Sequence, residues 1–354
     1  MRRGIILPHG AIAGTVLLLG ILLLVGCGEG KNSVVTSEGT LPTPRAQEES
    51  SKGMAPTEPK QIRIVATTNI LRDWIENVGG DRVEVHSVVP SGADPHTFRL
   101  TPKEMGGMEG SHLGFFVGEH YEENWLDSLT HVLLEGDARL IHLSEYVELR
   151  PYSSDGFNKK GADVTDSGDH EEDQHENSGE YDPHFWHDPI TVIDAINRIA
   201  IELSEVSPNE KSYFESNAES YMEKLTQLDL WVMDQVGEIP REKKIMITNH
   251  ETMGYFAERY DFTLEDSIIP GLSSGASVSP RQLANIIDQI KGTGVKAVFG
   301  EPNMSHKIMN AISEDTGVSV VYLHSESFGA RGEVSNYIGM IRSNVNGIVE
   351  GLAE

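Results

Sequence analysis

Cysteine is nearly absent, since the chain of 354 residues contains only one, Cys27. A single cysteine excludes an internal disulfide, zinc sites built from several cysteines, and iron–sulfur clusters. Basic residues are also scarce: 28 Lys and Arg stand against 55 Asp and Glu, which gives a formal net charge of −27. Nucleic-acid binding needs clustered Lys and Arg to neutralise phosphates, so this balance argues against a nucleic-acid partner.

The composition indicates a packed body with polar appendages. Hydrophobic residues make up 38% of the chain and charged residues 23%. These values are slightly polar for a globular protein, but they do not describe a wholly disordered one. The length favours two domains over one.

Residues 1–26 have the pattern of a signal peptide. Two arginines precede an apolar run over residues 12–25, as in the charged and apolar regions of an export signal. The run ends in Leu-Val-Gly-Cys at 24–27, which resembles the lipobox of bacterial lipoproteins and implies lipidation of Cys27. An uncleaved transmembrane anchor is the alternative. Either one predicts an exported body that is tethered to the membrane.

Two polar segments are predicted to lack a core of their own. Residues 27–60 contain four prolines and no aromatic residue, which is typical of a flexible tether. Residues 155–181 are rich in acidic residues and include His170 and His175. This second segment is predicted to be a loop, which is either a solvated insertion or an accessory site that captures metal ions weakly.

Short β-branched runs alternate with amphipathic stretches in two parts of the chain, residues 61–206 and 240–354. Strands separated by single helices form βαβ units around a buried, largely parallel sheet. The sequence therefore predicts an α/β fold with two Rossmann-like lobes.

The segment between the lobes, residues 207–239, is predicted to be one long helix. Its apolar residues recur in steps of three or four, which places them on one helical face. Such a helix would join the lobes as a rigid strut, although a coiled-coil surface for a partner is an alternative. The apolar positions are Phe214, Ala218, Tyr221, Leu225, Leu228 and Val232.

Three histidines and one glutamate stand where a strand-like run ends and a turn begins. Two belong to the first lobe and two to the second: His96, His184, His250 and Glu326. The ends of strands are where α/β lobes usually present ligand-binding groups. Imidazole and carboxylate are the usual ligands of zinc when thiolates are absent.

Four motifs occur in the order found in one known family. They are Ala-Asp-Pro-His at 93–96, Asp-Pro-His-Phe-Trp at 182–186, Asn-His-Glu at 249–251 with Gly-Tyr-Phe at 254–256, and Phe-Gly-Glu-Pro at 299–302. With these motifs, residues 62–352 resemble the metal-binding solute-binding proteins of bacterial zinc and manganese ABC transporters, the cluster A-I or zinc-uptake periplasmic family.

The resemblance implies a metal site in the cleft between the lobes. It implies His96, His184 and His250 as ligands, with a carboxylate from the loop after the last strand. The family more often has Asp in that loop. This chain has Glu326 in that loop, which makes Glu326 the expected fourth ligand, with His324 or water as alternatives.

Three further residues are candidates for supporting roles around the site. Glu301 matches a glutamate of the family and is expected to support a ligand. His187 follows His184 by three residues and is expected to be a supporting or surface residue. Glu251, adjacent to His250, is the third candidate.

The ligand types favour zinc as the bound ion. Three imidazoles and one carboxylate suit four-coordinate Zn²⁺, whereas Mn²⁺ prefers more oxygen ligands and a higher coordination number. Family members that look manganese-selective tend to replace the third histidine with a carboxylate, and this chain keeps His250. The prediction is Zn²⁺, with Mn²⁺ or Fe²⁺ as the alternative.

The predicted function is capture of extracytoplasmic Zn²⁺ and its delivery to an ABC transporter permease with its cytoplasmic ATPase. The protein is expected to be a lipid-anchored monomer and not an enzyme. One alternative is an exported zinc enzyme with Glu251 as general base, but the chain lacks the His-Glu-x-x-His pattern of such enzymes. Another alternative is a cell-adhesion lipoprotein that metal only stabilises.

Overall fold

The computed structural model describes most of the predicted body. The described residues are 61–122, 124–152, 181–265, 267–269, 278–302, 306–329 and 334–353. The predicted signal peptide and tether lie outside them, as does the acidic loop except for Tyr181.

Strands and helices alternate along the described chain, and the α/β class with mainly parallel strands is confirmed. The strands are β1 Ile62–Ala66, β2 Val83–Ser87, β3 Leu113–Phe116, β4 Arg139–His142, β5 Arg150–Pro151, β6 Tyr181–Asp182, β7 Ile245–Met246, β8 Thr263–Leu264, β9 Ala297–Gly300 and β10 Ser319–Tyr322. The α-helices are α1 Asn69–Gly79, α2 Pro102–Gly106, α3 Leu126–Glu135, α4 Thr191–Val206, α5 Lys211–Gly237, α6 Gly254–Tyr260, α7 Pro280–Thr293, α8 His306–Thr316 and α9 Tyr337–Ala353.

The first lobe is built on a four-stranded parallel sheet in the order β2-β1-β3-β4. All four residues of β3 are buried, as are four of the five in β1. Central strands of parallel sheets are covered by helices on both faces and are apolar for that reason. Helix α1 follows β1 and begins where the Thr68 side chain accepts a hydrogen bond from Leu71 N, which is a standard N-cap.

The second lobe repeats this strand order. Strands β7 and β8 pair in parallel, as do β9 and β10, and a parallel bridge between Thr248 and Phe299 connects the two pairs. The resulting order is β8-β7-β9-β10, so in each lobe the first strand lies between the second and the third. The crevice at the carboxyl ends of such strands, where the strand order reverses, is the usual ligand-binding position in open α/β sheets.

Helix α5 lies within the segment predicted to join the lobes. It has 27 residues, which corresponds to about 40 Å at a rise of 1.5 Å per residue. It packs against α1 and α4 of the first lobe and against α9 of the second. Neither α5 nor any other described helix is long and apolar enough to cross a membrane. The apolar face is buried as predicted, at Phe214, Ala218, Tyr221, Leu225, Leu228 and Val232.

A partly buried network of charged residues ties α5 to both lobes. Asp229 of α5 accepts hydrogen bonds from Arg259 Nε at 2.5 Å and Nη2 at 2.7 Å. It also accepts one from the Tyr260 hydroxyl at 2.9 Å. Arg259 Nε lies 3.1 Å from Oδ1 of Asp188, which precedes α4. Because α6 and the start of α4 share this network, it opposes rotation of one lobe against the other.

Candidate metal centre

The carboxyl ends of the strands bring the four predicted residues together. One ligand atom from each of His96, His184, His250 and Glu326 lies within 4.8 Å of the other three. Among the described residues, this is the one such group of three or more His, Cys, Asp or Glu side chains. The side chains of His184 and His250 are fully buried, and that of His96 is 8% exposed.

His96 is held by a loop that follows β2. Its backbone N–H donates to Asp94 Oδ1 at 2.9 Å, and its carbonyl accepts from Asn124 Nδ2 at 2.9 Å. The Trp125 indole donates to the Pro95 carbonyl at 3.0 Å. The segment that precedes α3 thus fixes the backbone on both sides of the imidazole.

His184 is oriented by a carboxylate two residues earlier. Asp182 Oδ1 accepts from the His184 backbone N–H at 2.9 Å and lies 2.7 Å from its Nδ1. A proton on Nδ1 directed at Asp182 leaves Nε2 to face the other three groups. The next residues form a single 3₁₀ turn, Phe185–His187. In this turn the Trp186 indole donates to the Ser325 carbonyl at 2.6 Å.

His250 follows β7 and has a carboxylate partner of its own. Its Nδ1 lies 3.0 Å from Oε1 of Glu301, which directly follows β9 and is 2% exposed. Glu301, which was expected to support a ligand, therefore contacts His250. Carboxylates that hold the outer nitrogen of a metal-binding histidine fix the ring and raise its basicity.

Glu326 lies at the centre of the group, in the loop after β10. Its Oε1 is 3.2 Å from His96 Nε2, 3.2 Å from His184 Nε2 and 3.1 Å from His250 Nε2. Its other oxygen, Oε2, accepts a hydrogen bond from the Tyr121 hydroxyl at 2.8 Å. Three imidazole nitrogens therefore converge on a single carboxylate oxygen.

The electrostatics favour positive charge among these four side chains. Burial alone would lower the pKa of His184, but hydrogen bonds with Asp182 and Glu326 raise it to about 9. At His250, Glu301 and Glu326 likewise outweigh burial and raise the pKa well above its usual value. Burial would raise the pKa of Glu326, yet the three histidines hold it well below its usual value. When no metal is bound, protons on the histidines supply this positive charge, and a bound divalent cation can replace them.

The other sequence candidates are not members of this four-membered group. His187 is buried and not at the surface, and burial lowers its pKa to about 3, which keeps the ring neutral. His324 is half-buried, and its backbone exchanges two hydrogen bonds with the Asn344 side chain. Glu251 is half-buried and accepts from the Ser267 hydroxyl at 3.4 Å. Cys27, His170 and His175 lie outside the described residues.

Several residues around the four predicted ligands were missed from the sequence. Asp94 and Asp182 each stand two positions before a histidine in Asp-Pro-His, and that spacing was the available signal for an Asp side chain that accepts a hydrogen bond from the histidine backbone N–H. Tyr121 had no such signal, because 205 positions separate it from Glu326.

We expect that Glu301→Gln weakens metal binding by about 10–100-fold, the range seen when an outer partner of a metal-binding histidine is lost. The amide keeps the shape of the side chain but removes the negative charge beside His250 Nδ1. The measurement is competitive titration of purified protein against a chelator of known affinity. Glu215→Gln is the matched control, because Glu215 is an exposed partner of Lys211 on α5. An equal affinity in the two variants would contradict the assigned role of Glu301.

Comparison with known proteins identifies the family of the chain. Residues 64–351 match the model of the family described as zinc-uptake complex component A, periplasmic. The manganese ABC transporter substrate-binding lipoprotein PsaA of Streptococcus pneumoniae is 27% identical over 341 residues, covering 96% of this chain and 97% of the relative. The manganese-binding lipoprotein MntA of Halalkalibacterium halodurans is 28% identical over 297 residues, covering 83% and 89%.

Solved structures show the same fold. The periplasmic zinc-binding protein TroA of Treponema pallidum superposes with a TM-score of 0.69 at 22% identity. The match covers 83% of this chain and all of the solved one.

Proposed function

The chain belongs to the family of zinc-uptake complex component A and is a substrate-binding protein of a metal ABC transporter, and we propose that its cargo is Zn²⁺. In this proposal the protein captures the ion outside the cytoplasm and delivers it to a membrane permease that is driven by a cytoplasmic ATPase. His96, His184, His250 and Glu326 are the proposed ligands.

One observation carries the choice of ion: three imidazole Nε2 atoms converge on one carboxylate oxygen. Three nitrogens and one oxygen form the donor set of a four-coordinate zinc site. Mn²⁺ prefers six ligands that are mostly oxygen. The relatives PsaA and MntA carry manganese in their names, which makes Mn²⁺ the second candidate.

Four protein ligands are consistent with carriage of the ion and not with catalysis. Zinc enzymes keep one coordination position for water or substrate, whereas closed sites use four protein ligands. We propose that the site is closed when zinc is bound, and the protein is accordingly not an enzyme.

Release requires that one ligand be withdrawn, and the loop that carries Glu326 is suited to this. Besides the contacts of the Glu326 side chain with Tyr121 and the histidines, three hydrogen bonds connect the loop to the first lobe: Trp186 Nε1 to Ser325 O at 2.6 Å, Gly92 N to Ser327 Oγ at 3.2 Å, and Phe328 N to Asn69 Oδ1 at 3.3 Å. A permease that breaks these three bonds and the one from Tyr121 would move Glu326 without rotating the lobes. We propose that delivery of the ion proceeds in this way.

Membrane attachment completes the proposal. Relatives named lipoproteins cover almost the whole chain, and their names imply a membrane-anchored, extracytoplasmic protein. We propose that Cys27 carries the lipid and that residues 27–60 provide reach from the membrane surface to the permease. The protein is proposed to act as a monomer.

The test is a competition between the two ions for the purified, metal-stripped protein. One Zn²⁺ per chain is expected, and a large excess of Mn²⁺ should fail to displace it. Tighter binding of Mn²⁺ than of Zn²⁺ would contradict the zinc proposal and leave the transporter role intact. Binding of several weakly held ions per chain would contradict the proposed four-ligand site itself.

A further inference from the structure

Tyr121 contacts the carboxylate oxygen that the three histidines do not use. Its hydroxyl donates to Glu326 Oε2 at 2.8 Å, while Oε1 faces His96, His184 and His250. The ring of Tyr121 also packs edge-on against those of His96 and Trp186, with centroids 5.1 and 5.2 Å away. The tyrosine is 2% exposed, so water does not compete for its hydroxyl.

A left-handed turn positions this tyrosine. Gly118, Glu119 and His120 have φ values of 89°, 49° and 62°, so three successive residues have positive φ. Non-glycine residues seldom adopt this region, and clusters of such residues are found mainly at functional sites. A Cβ on Gly118 would lie 2.2 Å from Ser144 Oγ, so side chains do not fit there. The turn closes with a hydrogen bond from Tyr121 N to Gly118 O at 3.1 Å.

A buried carboxylate holds the turn in this conformation. Glu122 accepts hydrogen bonds from Val117 N at 2.7 Å, Gly118 N at 3.0 Å and the Thr67 hydroxyl at 2.7 Å. Thr67 follows β1 and Val117 follows β3, so one side chain joins the ends of the two central strands. The Tyr121 hydroxyl is therefore placed by the sheet itself and not by a loose surface loop.

We infer that Tyr121 is a specificity-determining residue, which reserves Oε2 of Glu326 so that the carboxylate offers the metal a single oxygen, Oε1. This inference rests on the proposed zinc function. A carboxylate that binds through one oxygen completes a four-coordinate site with the three histidines, as Zn²⁺ prefers. A carboxylate that binds through both oxygens would add a fifth ligand, which would favour Mn²⁺.

The test compares Tyr121→Phe with the unmodified protein and with Tyr260→Phe. Tyr260 is the matched control because it is another buried tyrosine whose hydroxyl donates to a carboxylate, here Asp229, away from the histidines. The measured quantity is the Mn²⁺ dissociation constant divided by the Zn²⁺ dissociation constant. We expect Tyr121→Phe to lower this ratio about tenfold, the smaller of the changes that loss of an outer partner causes at metal sites. Tyr260→Phe should leave the ratio unchanged.

Cobalt reports the coordination number directly, because four-coordinate Co²⁺ absorbs visible light much more strongly than five- or six-coordinate Co²⁺. The unmodified full-length protein loaded with Co²⁺ should show the intense bands, and Tyr121→Phe should show weaker ones. Weak bands in the unmodified protein would overturn the inference even if the variant failed to fold. An unchanged ratio and unchanged bands in a folded variant would overturn it as well.

These results separate the inference from the function on which it rests. If the unmodified protein prefers Mn²⁺, the zinc proposal fails and the inference fails with it. If the unmodified protein prefers Zn²⁺ and Tyr121→Phe changes neither the ratio of dissociation constants nor the Co²⁺ bands, only the role of Tyr121 is wrong.

Discussion

Replacing His184 with alanine is expected to weaken Zn²⁺ binding by about 10²–10³-fold. Four-ligand zinc sites in small domains bind with about 10–16 kcal/mol at neutral pH. An equal share for each ligand is about 2.5–4 kcal/mol, and about 1.4 kcal/mol corresponds to a factor of ten. His184→Ala removes one of three nitrogen donors and leaves the Asp182 carboxylate without its imidazole partner.

His187→Ala is the matched control for this substitution. His187 stands three residues later in the same buried segment, but it does not belong to the group of four. Its removal creates a cavity of similar size and should change Zn²⁺ affinity by less than about threefold, well under the factor of ten that 1.4 kcal/mol represents. Competitive titration measures both variants, and circular dichroism establishes that both are folded. Similar losses in the two variants would show that burial, and not ligation, decides the effect.

Zn²⁺ affinity is expected to fall by about 10²–10⁴-fold between pH 8 and pH 6, because protons and metal compete for the same nitrogens. The pKa of His184 is about 9, and that of His250 lies well above its usual value. Each of these imidazoles must lose a proton before Nε2 can bind the ion. Below its pKa, each such group lowers the affinity about tenfold per pH unit. Above its pKa the ring is already neutral, so a further rise in pH brings no gain.

Two measurements check this dependence. Titrations against a chelator at pH 6, 7 and 8 give the slope, which should lie between one and two decades per pH unit. Calorimetry in two buffers of different ionisation enthalpy counts the protons released when Zn²⁺ binds, and His184→Ala should lower this number. An affinity that stays constant from pH 8 to pH 6, with no proton release, would contradict the described electrostatics.

Much of the fold was accessible from local patterns. Strands buried in a parallel sheet are continuously apolar. The β-branched or apolar runs at 62–67, 83–89, 113–117, 139–143, 244–248, 295–299 and 318–323 accordingly overlap β1, β2, β3, β4, β7, β9 and β10. The spacing of apolar residues from Phe214 to Val232 predicted the buried face of α5, because residues three or four apart lie on the same face of a helix. Strands β5, β6 and β8 were missed, since each has only two residues and none lies within a longer apolar run.

The candidate site was accessible only in part. A histidine at the end of a strand can be recognised from sequence order, and the three histidines with Glu326 are indeed brought together. Partners from other parts of the fold cannot be recognised in this way. Tyr121 reaches Glu326, and Glu301 reaches His250, only because strand order places the ends of distant strands side by side. Glu326 and His324 stand in one short loop, so the sequence alone does not show which of the two side chains lies beside the histidines.

Anomalous X-ray diffraction at the zinc absorption edge, on crystals of the zinc-loaded protein, tests the central claim most directly. The expected result is one strong peak per chain, at about 2.0–2.2 Å from Nε2 of His96, His184 and His250 and from a single oxygen of Glu326. A peak bound by other residues, or several weak peaks with none among these four side chains, would contradict the proposed site.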